Sequence, residues 1–321
     1  MSPQLASVLP SLAALRGHDL LSSADLSREQ TFALLQLAAE LKSGERCIDL
    51  RGKTLGLIFT KASTRTRVSF TVAMARLGGQ TVDLNPSVTQ VGRGEPVADT
   101  ARVLSRYMDA LAIRTFAQDE LAEYAHWATI PVINALTDLE HPCQALADLL
   151  TVQEAFGVSD GQGGLTLAYV GDGNNVAHSL LLTGALLGVN VRIGCPSGFE
   201  PDPALVERAR ALAGERSAIV VTHDPVAAVR GAQALYTDVW ASMGQEGEQA
   251  QREAAFQGFC LDEALLAEAD ARAIVLHCLP AHRGEEISAG VIEGSASRVF
   301  DQAENRLHVQ QALLAVLLGG L

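Results

Sequence analysis

Five consecutive residues, Ser63-Thr64-Arg65-Thr66-Arg67, set three hydroxyls and two guanidiniums one short turn, Lys61-Ala62-Ser63, beyond a short apolar run, Leu55–Thr60. The run reads as a buried parallel strand. The spacing of Val68, Phe70, Val72 and Leu77 reads as a helix that Gly78-Gly79 ends. Residues at such a handover sit beside the unsatisfied N–H groups of the first helical turn and the positive end of the helix dipole. Hydroxyl donors and a guanidinium fork that matches a phosphate make this an anion socket suited to a dianion. An N-cap followed by solvated arginines would account for one hydroxyl, but not for hydroxyls interleaved with two arginines.

Other polar residues converge on the same edge. Arg114 ends the strand Ala110–Arg114, and His141-Pro142-Cys143-Gln144 closely follows the strand Val132–Leu136. A histidine before proline is more often structural. Beside Arg114, however, its N–H, a guanidinium and a threonine hydroxyl around one carbonyl oxygen would form an oxyanion hole for acyl transfer. Further along, Gly171-Asp172-Gly173-Asn174-Asn175-Val176 follows the strand Leu165–Val170, and Asn175 is a candidate carboxylate donor. The stretch is a poor dinucleotide fingerprint, because Val176 replaces the third glycine and no acidic residue ends the next strand. Asp238 lies at the end of the strand Leu235–Val239, Cys278 follows Ala273–Leu276, and Arg306 stands near the start of a C-terminal helix, Asp301–Leu318. Cys278 is either a buried structural thiol or a substrate contact.

The elements needed to position these residues alternate strand and helix through the whole chain. That pattern predicts an α/β protein with two doubly wound parallel sheets, each covered by helices, joined by long helices such as Gln144–Phe156. A length of 321 residues suits two domains. Their expected limits are 1–145, with 303–321 packing back onto it, and 146–302. Ser27-Arg28-Glu29-Gln30 has capping-box form and starts a helix that Gly44 closes, and a further helix is expected over Val97–Met108. Residues 86–96 and 240–250 contain glycine and lack periodicity, the first reading as a mobile loop and the second as a lid or a surface loop. The net charge of −13 leaves no broad basic face and excludes a general nucleic-acid binder. Five scattered cysteines without CxxC spacing fit reduced thiols and a cytoplasmic protein. The first residues lack a basic n-region and carry Pro10, so they do not read as a secretory signal, and the most apolar run, Ala312–Leu318, is too short to span a membrane.

Four motifs, STRTR at Ser63–Arg67, HPCQ at His141–Gln144, DVWASMG at Asp238–Gly244 and HCLP at His277–Pro280, occur in the order and spacing of the carbamoyltransferases. Over essentially its whole length the chain resembles the aspartate/ornithine carbamoyltransferase superfamily, and the last two motifs resemble its ornithine-using branch. The resemblance implies carbamoyl transfer to the δ-amine of L-ornithine, giving citrulline and phosphate, in arginine biosynthesis or its reverse. It implies no metal and no organic cofactor.

By the same resemblance, carbamoyl phosphate would sit in the first domain on Ser63, Thr64, Arg65 and Thr66, with Arg114, His141 and Gln144 reaching it. Gln90 would serve a neighbouring subunit's site. Ornithine would sit in the second domain on Asn175, Asp238, Ser242 and Met243, with Cys278 and Leu279 bordering its side-chain amine and Arg306 reaching the carbamoyl oxygen. Arg65, Thr66, Arg114, His141, Cys278 and Arg306 would be catalytic, in a homotrimer or an assembly of trimers. Thr60 and Ala62 depart from the Glu and Pro of some relatives, and Ala281-His282-Arg283-Gly284 is a variant that some share; neither removes a ligand. Aspartate as substrate would call for an added cation in 236–250, which holds no Lys or Arg, and putrescine would leave Asn175, Asp238 and Ser242 without partners.

Overall fold

The structure, a computed structural model, describes residues 10–85, 89–90, 94–157, 164–241, 247 and 249–321. Two compact units divide the chain, one of Met1–Ala147 with Asn305–Leu321 and one of Asp148–Glu304. Both divisions fall inside helices, Pro142–Phe156 and Val299–Leu317.

The first unit holds four parallel strands, β1 (Thr54–Phe59), β2 (Gln80–Asp83), β3 (Ala110–Arg114) and β4 (Val132–Leu136), in the order β2-β1-β3-β4. β1, β3 and β4 are buried on both faces, which is why their sequences are mostly apolar without alternation, broken inside β4 by the buried Asn134. The strand order reverses between β1 and β3, so the loops beyond these two strands flank the crevice where open α/β sheets bind ligands. Phe59 pairs with Arg114, and Arg114 with Leu136, so the segments carrying Ser63–Thr66, Arg114 and His141 leave the sheet side by side. The helix Arg28–Ser43 begins in a reciprocal capping box. The Ser27 hydroxyl accepts from Gln30 N at 3.1 Å, Gln30 Oε1 accepts from Ser27 N at 2.8 Å, and Gly44 closes the helix at φ 78°.

The second unit holds β5 (Thr166–Val170), β6 (Asn190–Gly194), β7 (Ile219–Thr222), β8 (Ala234–Thr237) and β9 (Ile274–His277), all parallel, in the order β7-β6-β5-β8-β9. Its reversal lies between β5 and β8. Val170 pairs with Thr237, and Thr237 with His277, so Gly171, Asp238 and Cys278 emerge next to one another. The helix Asn175–Leu187 is buried almost all round, as its apolar sequence requires. Gly173, just before it, permits close approach of the backbone, since a Cβ there would stand 2.2 Å from Pro201 N.

Three expectations need correction. A helix, Gln249–Ala255, overlaps the end of the stretch 240–250 expected to be a loop. The helix expected over Val97–Met108 stops at Leu104. The C-terminal helix starts at Val299, so Arg306 lies in its interior, not near a loop boundary. No helix among the described residues is long and apolar enough to cross a membrane.

The tight approach at Gly173 carries a test. Gly173→Ala forces the backbone of 200–201 away and should destabilise the protein by about 1–3 kcal/mol, read as a lowered urea midpoint; an unchanged midpoint would refute the contact.

Candidate functional site

Within the first unit, four segments distant in sequence meet at one buried polar cluster. Arg306 donates from Nη2 to the Thr66 hydroxyl at 2.7 Å and from Nη1 to Gln144 Oε1 at 2.9 Å. Thr66, Gln144, His141, Arg114 and Arg306 are all buried. The helix Arg65–Arg76 has Thr64 as its N-cap, and the Thr64 hydroxyl makes no capping bond, so the first-turn N–H groups are not closed off by that side chain. Burial holds the His141 pKa well below the ordinary histidine range, and the charges of Arg306, Arg114 and Arg65 push it the same way. His141 is therefore a neutral N–H donor within a cationic field. An electron-rich oxygen that enters this cluster meets guanidinium, imidazole and hydroxyl donors together.

The structure alters the expected cast. Arg67, expected in the socket, forms an ion pair with Asp83 and lies over the Phe59 ring at 5.0 Å. Two residues on a helix differ by about 200° in direction, so Arg65 and Arg67 cannot serve one socket. Ser63 is half-buried and Thr64 exposed beside the cluster, and Gln90 is exposed. Lys61 was not anticipated. Its buried ammonium pairs with Asp138 and stands 4.3 Å from the Phe116 ring centroid, tying together the segments that follow β1, β3 and β4. A lysine beside the motif was visible in the sequence, but its partners were not. Cys143, inside HPCQ, is a buried thiol that burial pushes up to about 12, which makes it structural.

In the second unit the group centres on Asp238. Its Oδ2 accepts from Asn174 Nδ2 at 2.8 Å, and its Oδ1 accepts from Cys278 Sγ at 2.9 Å and from Val239 N at 2.8 Å. Asn174 was not among the expected site residues, although an asparagine preceding a helix is its natural cap. Its Oδ1 accepts from Val176 N and Ala177 N, which frees the amide nitrogen for Asp238. Asn175 is the first residue of that helix and half-buried. A buried ion pair supports the rim, with Arg252 Nη1 donating to Asp172 Oδ2 at 2.9 Å and to Trp240 O at 2.8 Å. Leu279 is half-buried beside Cys278. Ser242 and Met243 lie outside the described residues.

Asp238, His277 and Cys278 offer ligand atoms within 4.8 Å of one another, as do His282, Glu285 and Glu286. The His277 Nδ1 lone pair already accepts from Leu279 N at 2.9 Å, so an ion bound through that atom would have to displace it.

Comparison with known proteins gives a consistent set of relatives. Residues 18–154 match the family model described as aspartate/ornithine carbamoyltransferase, carbamoyl-P binding domain, and residues 163–317 match the corresponding Asp/Orn binding domain. The chain is 73% identical over 321 residues, all of both chains, to the ornithine carbamoyltransferase of Parasynechococcus marenigrum strain WH8102. It is 74% identical over 310 residues to that of Prochlorococcus marinus strain MIT 9313, covering 97% of this chain and 96% of the relative. The crystal structure of ornithine carbamoyltransferase from Gloeobacter violaceus superposes with a TM-score of 0.85 at 58% identity, over 94% of this chain and 98% of that one. The Pyrococcus furiosus ornithine carbamoyltransferase gives 0.90 at 48% identity, over 96% and 99%.

The neutral state of His141 makes stability depend on pH. The unfolded chain takes up a proton near pH 6.5 that the folded chain refuses, so stability falls as pH drops below that value, by about 1.4 kcal/mol per pH unit for this one group. His141→Gln should flatten this part of the acid limb in urea titrations between pH 7.5 and 5.5. An unchanged slope would mean that the imidazole is charged in the fold.

Proposed function

The chain belongs to the aspartate/ornithine carbamoyltransferase family, and on that basis we propose that it transfers the carbamoyl group of carbamoyl phosphate to the δ-amine of L-ornithine, yielding L-citrulline and phosphate. The observation that carries this reading is end-to-end identity of 73% to an ornithine carbamoyltransferase, together with family matches in both halves of the chain.

The site chemistry supports each step. The phosphate of carbamoyl phosphate lies on Ser63, Thr64, Arg65 and the first-turn amides, while Thr66, Arg114, His141, Gln144 and Arg306 surround the carbamoyl end. Ornithine binds with its α-ammonium on Asp238 and Ser242 and its α-carboxylate on Asn175; Met243, Cys278 and Leu279 line its side chain. Asp238 is buried, and the donors described on it are Asn174, Cys278 and Val239 N, all neutral, so an ammonium can still take its charge. A lysine-like amine has a pKa of about 10 in water and must lose its proton before it can attack. The neutral δ-nitrogen then forms a bond to the carbamoyl carbon, and the carbonyl oxygen gains charge that the guanidiniums and the neutral His141 N–H stabilise. The C–O bond to phosphate breaks as the carbonyl re-forms. The departing phosphate, held by Arg65 and the helix terminus, accepts the proton from the amine nitrogen.

None of the five cysteines is in a disulfide, which supports a cytoplasmic enzyme. We assign it to arginine biosynthesis as a homotrimer, with Gln90 serving a neighbouring subunit.

The test is carbamoylation of L-ornithine, N-acetylornithine, putrescine and L-aspartate in parallel, with Arg114→Ala as a second enzyme. Ornithine should be strongly preferred, and Arg114→Ala should lower kcat by roughly 10²–10³. Turnover of another amine alone would overturn the assignment of the amine substrate, and an unaffected Arg114→Ala would remove that residue from the oxyanion site.

A further inference from the structure

The segment after β9 carries Cys278 and Leu279, and its shape is imposed by a residue outside the four motifs. Leu279 has φ 60°, the one left-handed non-glycine residue among those described. A leucine adopts that conformation at a cost, so the surroundings must hold it there. Its N–H donates to His277 Nδ1 at 2.9 Å. A nitrogen that accepts carries no proton, so the imidazole is the Nε2–H tautomer, and this N–H faces Glu286 Oε1 at 3.1 Å. The same Oε1 also accepts from His282 N at 2.5 Å. Glu286 therefore grips both ends of the turn, through the ring of His277 at its start and the backbone of His282 at its close.

Two further observations suit this role. The side chains of His277 and Glu286 are fully buried, and Glu286 Oε2 has no hydrogen-bond partner among the described residues. Burying a carboxylate is costly when an amide or an apolar side chain would fill the space. A carboxylate, however, offers acceptors only, and so fixes which imidazole nitrogen carries the hydrogen. The strand end that presents the ring is itself pinned. His277 N donates to Gln302 Oε1 at 2.8 Å, and Gln302 Nε2 donates to Asp148 Oδ1 at 2.6 Å and to the Tyr236 hydroxyl at 3.1 Å. The turn so fixed delivers Cys278 Sγ to Asp238 Oδ1 at 2.9 Å.

We propose that Glu286 is a positioning residue for the amine substrate: by holding His277 as the Nε2–H tautomer, it sets the Leu279 turn and thereby the Cys278–Asp238 contact. This rests on the ornithine-binding reading of Asp238, Cys278 and Leu279. Glu286 touches no reacting atom and acts through His277.

Two substitutions separate this role from simple packing. Glu286→Gln keeps an acceptor for both donors; Glu286→Leu keeps the volume and removes the acceptor. His277→Asn places an amide oxygen near the position of Nδ1, so that Leu279 N–H keeps an acceptor that no longer depends on Glu286. The wild-type enzyme is first assayed for citrulline; its failure there would count against the functional reading and not against the turn.

In an active enzyme, Glu286→Leu should raise the ornithine KM by about tenfold or more, the scale of one lost hydrogen bond. Carbamoyl phosphate binding without ornithine should stay within about twofold, and Glu286→Gln should stay within about threefold of wild type on the same scale. Added to His277→Asn, Glu286→Leu should cost much less than it does alone. Histidine 15N spectra give a readout independent of activity: Nδ1 of His277 should resonate as an unprotonated acceptor in wild type and lose that signature in Glu286→Leu. Retention of the signature, additive effects in the double variant, or equal weakening of both substrates would overturn the proposal. If Glu286→Leu does not fold, the His277→Asn KM and the wild-type and Glu286→Gln spectra decide it, since a protonated Nδ1 in the wild type contradicts it outright.

Discussion

A guanidinium taken out of water must find oxygen partners, and in the first unit Arg306 finds them on two other segments. It bonds Thr66, 240 residues away in the chain, and Gln144, 162 residues away. That one side chain fixes the returning C-terminal helix to the start of the Arg65–Arg76 helix and to the start of the Pro142–Phe156 helix. The cluster it organises is cationic as well as buried, and His141 registers this directly, since three guanidiniums add to burial in keeping it neutral. A site of this kind is poor at holding a proton and well suited to an oxyanion.

The second unit solves the opposite electrostatic problem with the same architectural device. At its switch point a buried carboxylate, Asp238, is held by an amide, a thiol and a backbone N–H. Neutral donors fix its orientation. One sheet thus presents guanidinium donors at its reversal, and the other presents an oriented carboxyl group at its own. In the reaction proposed above, the first takes the anionic carbamoyl donor and the second the ammonium-bearing acceptor.

The strands were legible in sequence because burial on both faces writes itself as mostly apolar runs without alternation. Ala110–Arg114 and Val132–Leu136 match the observed β3 and β4 residue for residue. The capping box at Ser27 and the glycine stop at Gly44 were equally visible, because both are local chemistry. Arg67 was misjudged for want of the helical direction that separates it from Arg65. Partnerships were less legible than residues. Lys61 with Asp138, Asn174 with Asp238, and His277 with Glu286 each join segments that only the folded sheets bring together. The helix Gln249–Ala255 escaped notice because the expected loop extended into its first residues.

In the proposed reaction the anion belongs to the Arg306 cluster and the amine to Asp238. Calorimetric titration with carbamoyl phosphate alone tests it most directly, comparing the wild type with Arg306→Gln and Asp238→Asn. One site per chain is expected, with affinity reduced by about tenfold or more in Arg306→Gln and unchanged in Asp238→Asn. Undiminished binding by Arg306→Gln, or equal loss in both variants, would contradict it.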